Sequence, residues 1–92
     1  MIHITLYGKA DCHLCHEARA LLDDLRAEFE LAVTEVDITL EPSLFEAYAL
    51  AIPVIKIEGQ SEMTAPIFSA ELRRALRRAA TVSSAATAPP AE

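Results

Sequence analysis

The chain has 92 residues, 52% of them hydrophobic, which is enough for one modest core but not for two. Its formal net charge of -6 excludes a protein that binds nucleic acid through a general excess of Lys and Arg. No apolar run reaches the roughly 18 residues that span a bilayer, and the start of the chain lacks the pattern of a secretory signal. We therefore expect one cytoplasmic, monomeric domain over residues 1–80, without a nucleic-acid or membrane partner.

Residues 2–7, IHITLY, are rich in β-branched and aromatic side chains and predict a buried first strand that ends at Gly8. From Leu14 onward, apolar residues recur at steps of three and four, which predicts an amphipathic helix of about 17 residues. Residues 31–38 predict a second strand, parallel to the first because a helical crossover joins the two. The helix residues expected to face the core are Ala18, Leu21, Leu22, Leu25 and Phe29.

A second helix is predicted to start at Pro42. Proline lacks a backbone N–H, and in the first helical turn that N–H would have no hydrogen-bond partner within the helix. Leu44, Phe45 and Tyr48 provide an apolar face for this helix. We expect it to end near Leu50.

Two further strands and a last helix complete the predicted order β-α-β-α-β-β-α. Residues 53–59 predict the third strand, and residues 60–68, QSEMTAPIF, predict the return strand of a hairpin that Pro66 confines to a sheet edge. Ser69 is a candidate cap for the last helix. Its expected core residues are Leu72, Ala75, Leu76 and Ala79, and its solvent-facing arginines are Arg73, Arg74, Arg77 and Arg78. This order predicts an α/β fold with a four-stranded mixed sheet and flanking helices, followed by a disordered tail over residues 81–92.

Both cysteines lie in the segment KADCHLCHEA, residues 9–18, where the first strand meets the first helix. A cytosolic compartment keeps thiols reduced, so a close pair is typical of redox chemistry or metal binding rather than of a structural disulfide. Free N–H groups and the dipole at the helix start favour the thiolate form of Cys12. Cys15, one turn later, is then the thiol that resolves a mixed disulfide. Lys9 and a protonated His13 are expected to stabilise the thiolate with their positive charge.

Two other interpretations of the pair remain open. Cys12, Cys15 and His16 are a candidate ligand set for a metal ion or cluster, although structural zinc takes four ligands and no second Cys or His pair follows. The two cysteines are also small enough to be buried apolar residues without chemistry. We favour the redox pair and predict no metal site.

Three segments of the chain, ITLYGKADCHLC, VTEVDI and AIPVIKIEG, resemble glutaredoxin-like proteins of the thioredoxin-fold superfamily. The resemblance extends over residues 2–80. It implies a thioredoxin-like fold and a thiol-disulfide oxidoreductase that transfers electrons through Cys12 and Cys15. It also implies a cis peptide bond between Ile52 and Pro53, and that this pair docks an extended substrate beside Cys12.

The same resemblance makes glutathione a candidate reductant, with no cofactor tightly bound. Lys9 stands three residues before Cys12, as does the glutaredoxin lysine that lies near the glycyl carboxylate of glutathione. Glutaredoxins also have a Gly-Gly turn for the γ-glutamyl end, whereas this chain has EMTAPIFS there, with Ser69 as a partial replacement. The implied partner is a disulfide-containing protein or a glutathione-type thiol. The alternatives are a metal- or cluster-binding module and an interaction domain whose thiols are incidental.

Overall fold

The structure, a computed structural model, describes the backbone of residues 1–87 and the side chains of residues 1–81. In this part of the chain, four strands and three α-helices follow one another in the predicted order. They are β1 (Ile2–Gly8), α1 (His13–Leu25), β2 (Leu31–Asp37), α2 (Pro42–Tyr48), β3 (Val54–Ile57), β4 (Met63–Thr64) and α3 (Ser69–Thr87). A 3-10 turn, Ile38–Leu40, connects β2 to α2.

The four strands form one mixed sheet in the order β2-β1-β3-β4. β1 and β2 are parallel, as the helical crossover between them predicts, and Ile2 pairs with Leu31. β3 is antiparallel to β1, and β3 and β4 form the predicted antiparallel hairpin. The fold is therefore the predicted α/β architecture with a four-stranded mixed sheet.

The core lies between one face of the sheet and the helices α1 and α3. Side chains alternate along a strand, so β1 directs Ile2, Ile4 and Leu6 to this face, and all three are buried. Ile55 and Ile57 of β3 join them. The helices contribute buried residues at helical spacing, namely Ala18, Leu22 and Leu25 from α1 and Leu72, Ala75, Leu76 and Ala79 from α3.

The first helix is shorter than predicted, because α1 ends at Leu25. Residues 26–29 form a turn in which the guanidinium of Arg26 donates a hydrogen bond to the backbone oxygen of Leu31 at 3.1 Å. This turn reverses the chain so that β2 starts beside β1. Phe29 still packs against the core, as its place in the apolar pattern predicts.

The second helix differs from the prediction in its end and in its burial. α2 ends at Tyr48 rather than near Leu50, and it has no fully buried residue. Phe45 is 47% exposed, whereas the ring of Tyr48 packs on Tyr7 with 4.8 Å between the ring centroids. The predicted apolar face of α2 is therefore only partly covered.

The last helix, α3, extends to Thr87, past residue 80 where we placed the end of the domain. The sequence of residues 81–87, TVSSAAT, contains only two alanines, so intrinsic helix propensity does not explain this extension. Residues 88–92 of the predicted tail lie outside the described residues. None of the helices described is long and apolar enough to cross a membrane.

Candidate active site

The two cysteines form a disulfide at the N-terminus of α1, with their Cα atoms 5.2 Å apart. Cys12 is the N-cap residue and has an extended backbone conformation, and Cys15 lies in the first turn of the helix. The backbone N–H of Cys15 donates a hydrogen bond to the Sγ atom of Cys12 at 3.1 Å. One of the N–H groups that a helix leaves unpaired at its start is thus directed at this sulfur, and after reduction it favours negative charge there.

The two cysteine residues differ in their access to solvent. Cys12 is half-buried, whereas Cys15 is only 5% exposed. A substrate that approaches from solvent therefore meets Cys12 first. This arrangement agrees with the order of attack expected for the pair, in which Cys12 is the nucleophile and Cys15 the resolving thiol, and that order stays a prediction.

Gly8 is a residue of the site that sequence reasoning interpreted only as the end of a strand. It is the last residue of β1 and is buried, on the same sheet face as Ile4 and Leu6. A Cβ atom at Gly8 would lie 2.9 Å from the Sγ atom of Cys15, so a side chain has no room there. The sequence does contain a signal for this role. Side chains alternate between the two sheet faces along β1, so position 8 lies on the same face as Leu6, the face that packs against α1.

The two cations expected to stabilise the thiolate each lie beside a carboxylate. The Nζ atom of Lys9 is 3.8 Å from Oδ1 of Asp11. The Nε2 atom of His13 is 2.8 Å from Oε2 of Glu17, one helical turn away. These carboxylates would offset part of the positive potential that Lys9 and a protonated His13 are expected to supply at Cys12. The tuning role of the two cations stays a prediction.

A cleft of about 240 Å³, the His16 cleft, lies behind the disulfide and is lined by Cys15 and His16 together with acidic residues of β2. Glu35 in this cleft pairs with Arg19 at 3.3 Å. Hydrogen bonds from the side chain and backbone of Thr39 lower the pKa of Asp37, another lining residue. Among the side chains described, no group of three or more His, Cys, Asp or Glu residues is placed to hold a metal ion.

The Ile52–Pro53 peptide bond is cis, as the resemblance implied. Pro53 is buried and lines a groove together with Leu14, the residue just before Cys15. The backbone N–H of Ile52 donates to the oxygen of Tyr48 at 3.1 Å, so one of the two backbone groups of Ile52 is already used within the protein. The docking role predicted for Ile52 and Pro53 stays a prediction.

The second cis peptide bond, Ala65–Pro66, was not expected from the sequence, which indicated only that Pro66 limits a strand. Both residues line the same groove as Leu14 and Pro53, which we call the Leu14–Pro53 groove. The segment that the resemblance places at the glutaredoxin Gly-Gly turn thus shares a groove with Leu14 and Pro53.

Comparison with known proteins relates the chain to a family and to solved structures. The family described as glutaredoxin-like domain (DUF836) matches residues 3–77. The crystal structure of a structural-genomics target protein from X. campestris is 36% identical to this chain, and the match covers 83% of this chain and 97% of that one with a TM-score of 0.71. The solution structure of the same target has a TM-score of 0.69, at 36% identity over 83% of this chain and 94% of that one.

A mutant thioredoxin from Halobacterium salinarum is similar in fold. It is 16% identical, with a TM-score of 0.68 over 85% of this chain and 74% of that one. At this identity the likeness concerns the fold alone. The thioredoxin-like architecture is thereby shown for this chain.

Proposed function

The chain belongs to the glutaredoxin-like domain family, and from this membership and its cysteine pair we propose that it is a thiol-disulfide oxidoreductase. The observation that carries the proposal is the placement of Cys12 and Cys15. Cys12 is accessible at the N-cap of α1, its sulfur accepts a backbone N–H, and Cys15 is buried one turn behind it. An activated nucleophile beside a protected resolving thiol is the arrangement that disulfide exchange requires.

In the proposed reaction, the Cys12 thiolate attacks one sulfur of a substrate disulfide. A bond forms between Cys12 and that sulfur, and the other substrate sulfur leaves as a thiolate that takes up a proton. Cys15 then loses its proton to solvent and attacks the Sγ atom of Cys12. The substrate sulfur that was bonded to Cys12 leaves as a thiolate and takes up a proton. The substrate gains two electrons, and the Cys12–Cys15 disulfide forms.

The return to the dithiol needs a reductant, for which we propose glutathione or another thiol. We further propose that Lys9 and His13 favour the Cys12 thiolate, and that the substrate chain lies along Ile52 and Pro53. Because the N–H of Ile52 is used by Tyr48, this docking relies on the carbonyl of Ile52 and the surface of Pro53. The proposed partner is a disulfide-containing protein or a small thiol in a cytoplasmic, reducing environment, with the protein acting as a monomer without a bound cofactor.

The test is the equilibrium of the pair with glutathione redox buffers, read by alkylation of free thiols, with the metal content measured on the same sample. We expect a reversible two-electron transition between about -180 and -270 mV. Cys12→Ser should abolish disulfide reductase activity, and Cys15→Ser should accumulate a mixed disulfide with the substrate. Undiminished activity of Cys12→Ser would overturn the proposal, as would thiols that resist oxidation while the protein carries about one equivalent of metal.

A further inference from the structure

The Leu14–Pro53 groove is a shallow depression between α1 and the segment that follows β4. Its volume is about 140 Å³. Pockets that enclose whole small molecules have roughly 300–1,000 Å³, so this groove has room for one side chain of a larger ligand. Neither cysteine lines it, but Leu14, which stands between Cys12 and Cys15 in the chain, does.

The walls of the groove are apolar. Leu14, Pro53, Pro66 and Ile67 all line it, and Leu14 is 53% exposed at its rim. Phe68, the next residue after Ile67, is 60% exposed but does not line the groove. Large apolar side chains exposed together beside a reactive group are typical of a surface that receives another apolar group.

The charge at the groove is unfavourable for an anionic ligand. Of the residues that line it, Glu17 alone carries a formal charge, and that charge is negative. The partner of Glu17 is His13, which lies at the exposed start of α1. A ligand carboxylate placed in the groove would therefore face a carboxylate, which costs free energy at short distance.

The backbone of the groove offers no compensating donor at Ala65 and Pro66. The N–H of Ala65 donates to the backbone oxygen of Ala51 at 3.3 Å. Pro66 has no N–H. Glutathione carries two carboxylates, and at these two positions it finds neither a backbone donor nor a cation.

We propose that this groove receives an apolar side chain next to the reacting cysteine of a polypeptide, so that the protein reduces protein disulfides with apolar neighbours in preference to glutathione disulfide. The inference rests on the proposed function and names its substrate class. The chemical step is unchanged. The substrate disulfide gains two electrons from the Cys12 and Cys15 thiols and becomes two thiols, and the Cys12–Cys15 disulfide forms.

The test uses the full chain, reduced beforehand and freed of reductant, in single-turnover reactions with three probes. Two are disulfide-bridged peptides that differ only in the residue beside each cysteine, Leu in one and Glu in the other, and the third is oxidised glutathione. We expect the second-order rate constant for the Leu peptide to exceed those of the other two probes by about tenfold or more, the discrimination that apolar pockets achieve.

Two variants test the groove, and a third serves as a control. Leu14→Ser should reduce the preference for the Leu peptide towards equality, and Glu17→Gln should accelerate the reaction of the Glu peptide. Leu40→Ser removes a leucine that is 82% exposed on the 3-10 turn and does not line the groove. It should leave all three rate constants unchanged.

The outcomes separate the two proposals. A preference for the Leu peptide that falls in Leu14→Ser but not in Leu40→Ser supports the inference. Equal rates for the two peptides, or a faster reaction with glutathione disulfide, overturn the inference and leave the proposed function standing. If no probe is reduced by the dithiol protein, both are overturned.

Discussion

A Cβ atom on Gly8 would lie 2.9 Å from the Sγ atom of Cys15 and 3.1 Å from its Cβ atom, so β1 and α1 meet at the redox pair with no side chain between them. Position 8 faces α1, as Leu6 does two residues earlier. The absence of a side chain at Gly8 is what allows Cys15 to be buried directly against the end of the strand. The position of Cys15 is thus set by a glycine outside the Cys-x-x-Cys segment.

Gly8→Ala should destabilise the protein. The added methyl group overlaps Cys15, and overpacking of a closely packed site costs about 1–3 kcal/mol in the free energy of unfolding. The measurement is urea unfolding under reducing conditions, so that the state of the disulfide does not contribute.

A double-mutant cycle provides the control for Gly8→Ala. In a Cys15→Ala background the Sγ atom is gone, so the same substitution should cost less than in the natural chain. If Gly8→Ala costs the same in both backgrounds, the contact with the sulfur is not the cause of the loss.

Cys12 should also have a structural role that is separable from its chemistry. Its sulfur accepts the N–H of Cys15 at the start of α1, so it acts as the helix cap. Serine retains an acceptor at this position and alanine does not. We expect Cys12→Ala to be less stable than Cys12→Ser by about 0.5–2 kcal/mol.

Urea unfolding of the two Cys12 variants in the presence of reductant measures this difference. Both variants lack the disulfide and both lack the proposed nucleophile, so they differ only at the cap. Equal stability of Cys12→Ala and Cys12→Ser would contradict the capping role.

Much of the fold could be predicted because single physical patterns dominate its elements. The β-branched and aromatic composition of residues 2–7 predicted a buried strand, and the three- and four-residue steps in α1 predicted Ala18 and Leu22 as core positions. The cysteine spacing at the strand–helix junction indicated the candidate site. These are local patterns, and tertiary contacts do not reverse them.

The remaining features depend on particular side-chain and packing contacts, which a pattern of apolar residues does not specify. The end of α1 at Leu25 reflects the turn that Arg26 closes onto Leu31, which helix periodicity does not contain. The proximity of Gly8 to Cys15 requires the packing of α1 on the sheet. His13 and Glu17 are four residues apart on a helix, so their side chains can meet. Whether they do depends on the conformations of two exposed side chains, which the sequence does not specify.

Removal of the Glu62 charge should change the titration of Tyr48. The hydroxyl of Tyr48 donates a hydrogen bond to Oε2 of Glu62 at 2.8 Å, and this bond raises the pKa of Tyr48 above 10.0. In Glu62→Gln, loss of the carboxylate should move that pKa down towards 10.0. Tyr7→Phe in both proteins leaves Tyr48 as the only tyrosine of the chain, so ultraviolet absorbance of the tyrosinate reports this group alone.

The same titration has a clear negative outcome. If Tyr48 titrates at the same pH with and without Glu62→Gln, the hydrogen bond between α2 and the residues before β4 is not formed in solution. Glu58→Gln, a change of an exposed glutamate outside this hydrogen bond, is the matched control and should leave the titration unchanged.

The ion pair between Glu28 and Arg73 should make stability depend on pH below the ordinary pKa of glutamate. Arg73 Nε is 3.1 Å from Oε1 of Glu28 and its Nη2 is 2.7 Å from Oε2, which joins α3 to the turn before β2. The hydrogen bond from Arg73, with the charges of Arg73 and Arg77, lowers the pKa of Glu28 below 4.5. Because the folded-state pKa is the lower one, the stabilisation is present above pH 4.5 and is lost as the pH falls through the folded-state value.

Glu28→Gln should therefore flatten the decrease in the free energy of unfolding below pH 4.5, with only a small loss of stability at neutral pH because the pair is exposed to solvent. Urea unfolding at a series of pH values measures this slope. Glu46→Gln, on the exposed side of α2, is the matched control and should retain the slope of the natural chain. A slope in Glu28→Gln equal to that of the control would show that Arg73 does not hold Glu28 in the folded protein.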